Sequence, residues 1–143
     1  MNSRKKIMVQ SMTSAPVEKV WKYFSEPKHI VNWNFASDDW YCPQAVNDLT
    51  VGGTFTYVMA EKNGTKQFEF KGTFKDIIPD KLIKYTIEDG REVTVVFSKQ
   101  GYETEIILTF EAENNNTMDD QQSGWQAILN NFKAYCEDPS TNV

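Results

Sequence analysis

The stretch that decides the fold is Leu49-Thr50-Val51-Gly52-Gly53-Thr54-Phe55-Thr56-Tyr57-Val58-Met59. Two adjacent glycines are followed by large side chains at every second position. A nucleotide-binding P-loop needs a strand, then Gly-x4-Gly-Lys-Ser/Thr, then a helix. Here no lysine follows, and the residues after Gly53 alternate with a period of two. The dinucleotide fingerprint fails for the same reason. The glycines therefore read as a turn or bulge between two strands. Phe55, Tyr57 and Met59 share one strand face, and Thr54, Thr56 and Val58 share the other. The next strand repeats the pattern, with Phe68, Phe70, Gly72 and Phe74 against Glu69, Lys71, Thr73 and Lys75.

Working outward, the period of two persists across runs near 46–51, 54–61, 66–78, 81–88, 91–98 and 103–113. The links carry turn chemistry: Asn63-Gly64, Pro79-Asp80, Asp89-Gly90 and Gln100-Gly101. Short links imply neighbouring antiparallel strands. Upstream, a first strand of the type Ile7-Met8-Val9-Gln10-Ser11-Met12-Thr13 precedes a helix over 15–24, with Ser14 as its N-cap and Pro16 in its first turn. A short helix follows over about 27–33. The segment 34–46 reads as irregular and is rich in aromatics. Downstream of the polar loop Asn114-Asn115-Asn116, the caps of Thr117-Met118-Asp119-Asp120 open a long helix. Trp125, Ile128, Leu129, Phe132, Tyr135 and Cys136 recur at helical spacing there, opposite Gln126, Asn130, Asn131 and Lys133. A meander has one face to cover, and this helix is the natural cover. The expected fold is α+β: a curved antiparallel sheet of about six to seven strands around a long C-terminal helix, with two short helices after the first strand. One domain is expected to span residues 1–143, with its core over about 7–136 and a fraying tail from about Asp138.

Composition narrows the function. The 143 residues carry a net charge of −5, 13% aromatics, two cysteines and one histidine. An acidic chain without a basic run argues against nucleic acid and anionic membranes. No signal peptide or membrane-spanning run is read, so the expected compartment is the cytoplasm. A zinc site needs several Cys or His ligands at short spacing, and the composition does not offer them. Cys42 and Cys136 belong to no CxxC motif, and no local signature supports either as a nucleophile. His29, Asp38, Asp48 and Glu61 qualify as acid–base groups by position only. No catalytic residue, metal or cofactor is assigned.

What remains is the aromatic face. Any one of these residues is explained by an ordinary packed core. Together they suggest more, because a curved sheet wrapped on one helix often leaves a gap lined by apolar groups. The candidate wall of such a pocket is Phe55, Tyr57, Met59, Phe70, Phe74, Tyr85, Phe97, Trp125, Leu129 and Phe132. Tyr57 and Tyr85 supply hydroxyls, and Trp33, Trp40 and Tyr41 form a candidate lid.

Four stretches resemble a known family. These are "SAPVEKVWKYFSEPKHIVNW", "DLTVGGTFTYVM", "FKGTFKDIIPDKLIKYT" and "SGWQAILNNF", in this order over about residues 7–136. The set resembles the activator of heat-shock-protein ATPase homologues, within the START-like, Bet v 1-like (SRPBCC) superfamily. The resemblance implies a helix-grip fold with an internal apolar cavity, and ligands such as lipids, sterols or polyketides. It also implies that Gly124, beside Trp125, lets the helix approach the sheet. The usual arginine before the glycine pair is Thr50 in this chain. Three readings follow: a non-enzymatic carrier or sensor of a hydrophobic small molecule, a protein-interaction module acting on a heat-shock ATPase, and a cyclase- or hydrolase-type enzyme.

Overall fold

A computed structural model describes residues 5–139. The last residues of the expected fraying tail lie outside that range. The element order is β1 (Lys6–Thr13), α1 (Val17–Ser25), α2 (Pro27–Ile30), β2 (Trp40–Asn47), β3 (Thr54–Glu61), β4 (Gln67–Ile78), β5 (Leu82–Ile87), β6 (Glu92–Gln100), β7 (Glu103–Glu111) and α3 (Met118–Glu137). The strands form one antiparallel sheet in the order β1-β7-β6-β5-β4-β3-β2. Strands β2 to β7 are a continuous meander, and β1 returns to pair with β7. The α+β helix-grip arrangement expected from the sequence is the one observed.

Two bulges bend the sheet. One interrupts the β2–β3 register between Tyr41 and Gln44, and the other interrupts β4–β5 between Phe74 and Asp76. An extra residue in one strand forces a local kink and stronger twist. The curvature wraps the aromatic face of β3–β5 toward the helices.

Several local expectations are corrected. The segment 34–46 is not irregular throughout, because β2 begins at Trp40 and runs to Asn47. Residues 48–53 are a turn and not the end of a strand. Asp48 N–H donates to the Thr54 carbonyl at 2.9 Å, and Gly53 N–H to the Thr50 carbonyl at 2.8 Å. Gly52 has φ +88° and hydrogen-bonds back to Phe74 at 2.8 Å, which ties the turn to β4. A Cβ on Gly53 would lie 2.2 Å from the Asp48 carbonyl oxygen, so only glycine fits there. Thr50, at the position of the family's arginine, donates its hydroxyl to Asp48 at 3.1 Å. Ser14 does not cap α1, whose N-cap is Pro16 without a side-chain bond. It binds Glu137 and Glu103 instead, at 2.7 and 3.0 Å. Thr117 caps α3 as read, accepting from Asp120 N–H at 3.0 Å.

Helix α3 does not lie centrally over the sheet. It runs along β1 and touches α1. Its polar side explains why. Gln122 donates to the Met8 carbonyl, Gln126 both donates to and accepts from the Gln10 backbone, and Lys133 donates to the Met12 carbonyl at 2.7 Å. These side chains occupy the backbone groups that an edge strand would otherwise leave open. The polar stripe of α3 is thus a cover for the edge of β1. Packed side chains such as Val9, Val20, Val95, Ile106 and Phe132 fill the half of the molecule under β1, β6 and β7. The β3–β5 half stands away from the helix.

A hollow aromatic core between β3–β5 and helix α3

Between that half of the sheet and α3 lies a cavity of about 270 Å³. Nine of the thirteen sequence-selected residues line it: Trp33, Phe55, Tyr57, Met59, Phe70, Phe74, Tyr85, Trp125 and Leu129. Phe55 organises the wall. Its ring lies 4.8 Å from Tyr57, 5.7 Å from Phe70, 5.3 Å from Phe74 and 4.9 Å, edge to face, from Tyr85. It can sit so deep because Gly72, its partner across β3–β4, has no side chain. A Cβ there would meet two Phe55 ring carbons and the Thr86 carbonyl oxygen, each at 2.6 Å. Trp125 carries the wall across to the helix, stacked on Phe110 at 4.1 Å and edge-on to Phe70 at 6.0 Å.

The other four selected residues do not line the cavity. Phe97 and Phe132 point from the same faces into the packed half, where Phe97 meets Trp21 and Phe132 lies between Phe24 and Trp33. The alternation identified the face but not which half of the sheet is filled. Trp40 does not line the cavity but packs at 5.7 Å on Phe68, which does, and Tyr41 is 42% exposed on β2. The expected lid of Trp33, Trp40 and Tyr41 therefore does not assemble. Trp33 is a buried wall residue whose indole N–H donates to the Tyr23 carbonyl at 3.0 Å. The other two belong to an ordered strand.

Nine further residues line the cavity without having been selected from the sequence: Phe24, Ser25, Asn34, Leu49, Phe68, Ile83, Arg91, Leu108 and Ile128. Leu49 enters from the glycine turn, and Arg91 lies one residue before β6, in phase with Val93, Val95 and Phe97. Gly124 is also corrected. A Cβ there would meet nothing within 4 Å, so it does not serve close packing.

Few polar atoms face this space. Asn47 Nδ2 donates to the Tyr57 hydroxyl at 3.2 Å and to the Ser25 carbonyl at 2.8 Å. Burial pushes the Tyr57 phenol up to about 12, although the Asn47 bond pulls the other way. Burial also drives Tyr85 well above the ordinary phenol range, with neighbouring Tyr57 adding to it. Both are neutral phenols near pH 7. Arg91 is the one charged residue among those lining the cavity. Among the described residues, none that lines it carries a carboxylate, imidazole or thiol. Asp48 sits in the glycine turn, and His29 stacks on Tyr23 at 4.0 Å outside the cavity, with Nδ1 2.7 Å from the Tyr135 hydroxyl. Both thiols are buried; burial raises Cys42, and pushes Cys136 up to about 11. No group of metal-binding side chains occurs among the described residues. No helix among them is long and apolar enough to cross a membrane.

The fold and this space define the class: a helix-grip domain whose sheet and C-terminal helix enclose an apolar cavity. Residues 14–137 match the model of the family described as Activator of Hsp90 ATPase homolog 1-like protein. The chain belongs to that family. Among solved structures, it is 40% identical to an AHSA1-like protein from Aeromonas hydrophila, with a TM-score of 0.88, covering 93% of this chain and 92% of that one. It is 50% identical to a protein from Cytophaga hutchinsonii, with a TM-score of 0.81 and 92% of each chain covered. A protein from Chromobacterium violaceum shares the fold at 20% identity, with a TM-score of 0.83 over 93% of this chain and 97% of that one. No curated protein matches.

Proposed function

We propose that this protein binds a hydrophobic small molecule inside the cavity, as a carrier or sensor, without transforming it. One observation carries the reading: an aromatic- and aliphatic-lined space of about 270 Å³ left open in an otherwise packed core. Protein interiors are close-packed, and an unfilled apolar space forgoes dispersion contacts along its whole lining. A ligand that filled it would gain roughly 25 cal/mol per Å² of apolar area before ordering costs. An apolar cavity of about 150 Å³ already takes benzene. The larger space here suits a molecule of about two fused rings or a short acyl chain. Free, buried cysteines agree with the cytoplasm as its compartment.

The cavity residues also favour binding over catalysis. General acid–base chemistry needs groups that exchange protons near the working pH, and Tyr57 and Tyr85 are held far above it.

Isothermal titration with an apolar probe such as naphthalene tests the reading, alongside Ile128→Trp, which places an indole in the cavity. The wild type is expected to bind in a one-to-one ratio and the variant to lose binding. Equal binding by a folded Ile128→Trp protein would refute the site.

A further inference from the structure

We propose that the cavity selects uncharged ligands, and that Tyr85 is the specificity-determining residue, its hydroxyl meeting one neutral polar atom of the guest. The proposal rests on the binding reading above and adds a polarity to it.

The two phenols in the wall are not equivalent. The Tyr57 hydroxyl already accepts from Asn47. The Tyr85 hydroxyl has no hydrogen-bond partner among the described residues, although burial of the residue lifts its pKa. Among the described residues, no fully walled-in side-chain nitrogen or oxygen lacks a partner. The Tyr85 hydroxyl is therefore not fully walled in, and Tyr85 lines the cavity. A hydroxyl without a partner in an apolar setting costs free energy, and a guest with one neutral polar atom gives Tyr85 its first hydrogen bond.

Arg91 decides the charge of that guest. A lone cation beside an apolar cavity would attract a carboxylate. This one is already occupied. Its Nε donates to Asp89 Oδ2 at 2.8 Å, one terminal nitrogen donates to the Glu111 carbonyl at 3.2 Å, and the other lies 3.8 Å from Glu113 Oε2. One positive charge faces two carboxylates, leaving the cluster net negative. An anionic guest would have to enter an apolar space beside that cluster with no free counter-charge, which is strongly unfavourable. A hydroxyl or carbonyl guest incurs no such cost and satisfies Tyr85.

The test compares naphthalene, 2-naphthol and 2-naphthoate at neutral pH by isothermal titration, on the wild type, Tyr85→Phe and Tyr57→Phe. In the wild type, 2-naphthol is expected to bind about three- to tenfold more tightly than naphthalene, the gain of one neutral hydrogen bond. 2-Naphthoate is expected to bind more weakly than naphthalene. In Tyr85→Phe, 2-naphthol should bind no more tightly than naphthalene does to the same variant, whereas Tyr57→Phe should preserve the preference. Equal affinity of naphthol and naphthalene, a preference that survives Tyr85→Phe, or tight naphthoate binding each overturns this inference while leaving the binding reading intact. Failure of all three probes overturns the binding reading itself.

Discussion

Replacing Gly72 by alanine tests how the cavity is built. The added methyl would lie 2.6 Å from Phe55 Cε2, Phe55 Cζ and the Thr86 carbonyl oxygen. Ordinary contact begins near 3.4 Å, so the neighbours must together give way by about 0.8 Å. The carbonyl belongs to β5, whose residues Thr86 and Ile87 are in register with Thr73 and Gly72 of β4, so it has little room to move. Phe55 must move, yet its ring is held by Tyr57, Phe70, Phe74 and Tyr85. Overpacking of this kind costs about 1–3 kcal/mol. At this chain length that corresponds to a fall in melting temperature of roughly 3–10 °C. The displaced ring would also enter the cavity and weaken binding of an apolar probe. Thermal denaturation followed by circular dichroism gives the first quantity, and titration with naphthalene gives the second. A Gly72→Ala protein as stable as the wild type, with unchanged affinity, would refute the role assigned to this glycine.

Other expectations follow from the same geometry. Gly124→Ala should act oppositely, raising stability by about 0.5–1 kcal/mol, because its Cβ meets nothing and glycine is costly within a helix; urea denaturation checks this. Gln126→Ala removes the side chain that pairs with both backbone groups of Gln10, and should speed amide exchange at Gln10, measured by NMR. His29 is held below its ordinary pKa of 6.5, chiefly by burial, with Glu26 opposing. The unfolded chain therefore binds the proton more readily. The associated stability is present above about pH 6.5 and is lost as the pH falls toward the folded-state value. The melting temperature should drop between pH 7.5 and 5.5, and His29→Gln should flatten that slope.

Much of this was legible in the sequence because β-strand alternation is local. Phe55, Tyr57 and Met59 report their shared face without any tertiary information, and the turn residues fix each reversal of the chain. The strand Thr54–Glu61 and the cap at Thr117 were readable for that reason. What alternation does not encode is where α3 comes to rest. That position is set by Gln122, Gln126 and Lys133 bonding the free edge of β1, interactions between residues over a hundred positions apart. The resting place decides which aromatics face solid core and which face open space. Phe97 and Phe132 therefore read like Phe55 and Leu129 in the sequence, yet they lie in the filled half. Leu49 reaches the cavity from a turn, and Arg91 shares the alternation of Val93, Val95 and Phe97 but carries a charge, which does not read as a wall residue.

The central claim is that the space between β3–β5 and α3 is where a guest molecule resides. Intermolecular nuclear Overhauser effects between bound 2-naphthol and the protein test it most directly. Contacts to Phe55, Tyr85, Trp125 and Leu129 together are expected, which a guest can touch at once only from inside the cavity. Contacts confined to exposed side chains such as Tyr41, Val51 and Tyr102 would contradict it.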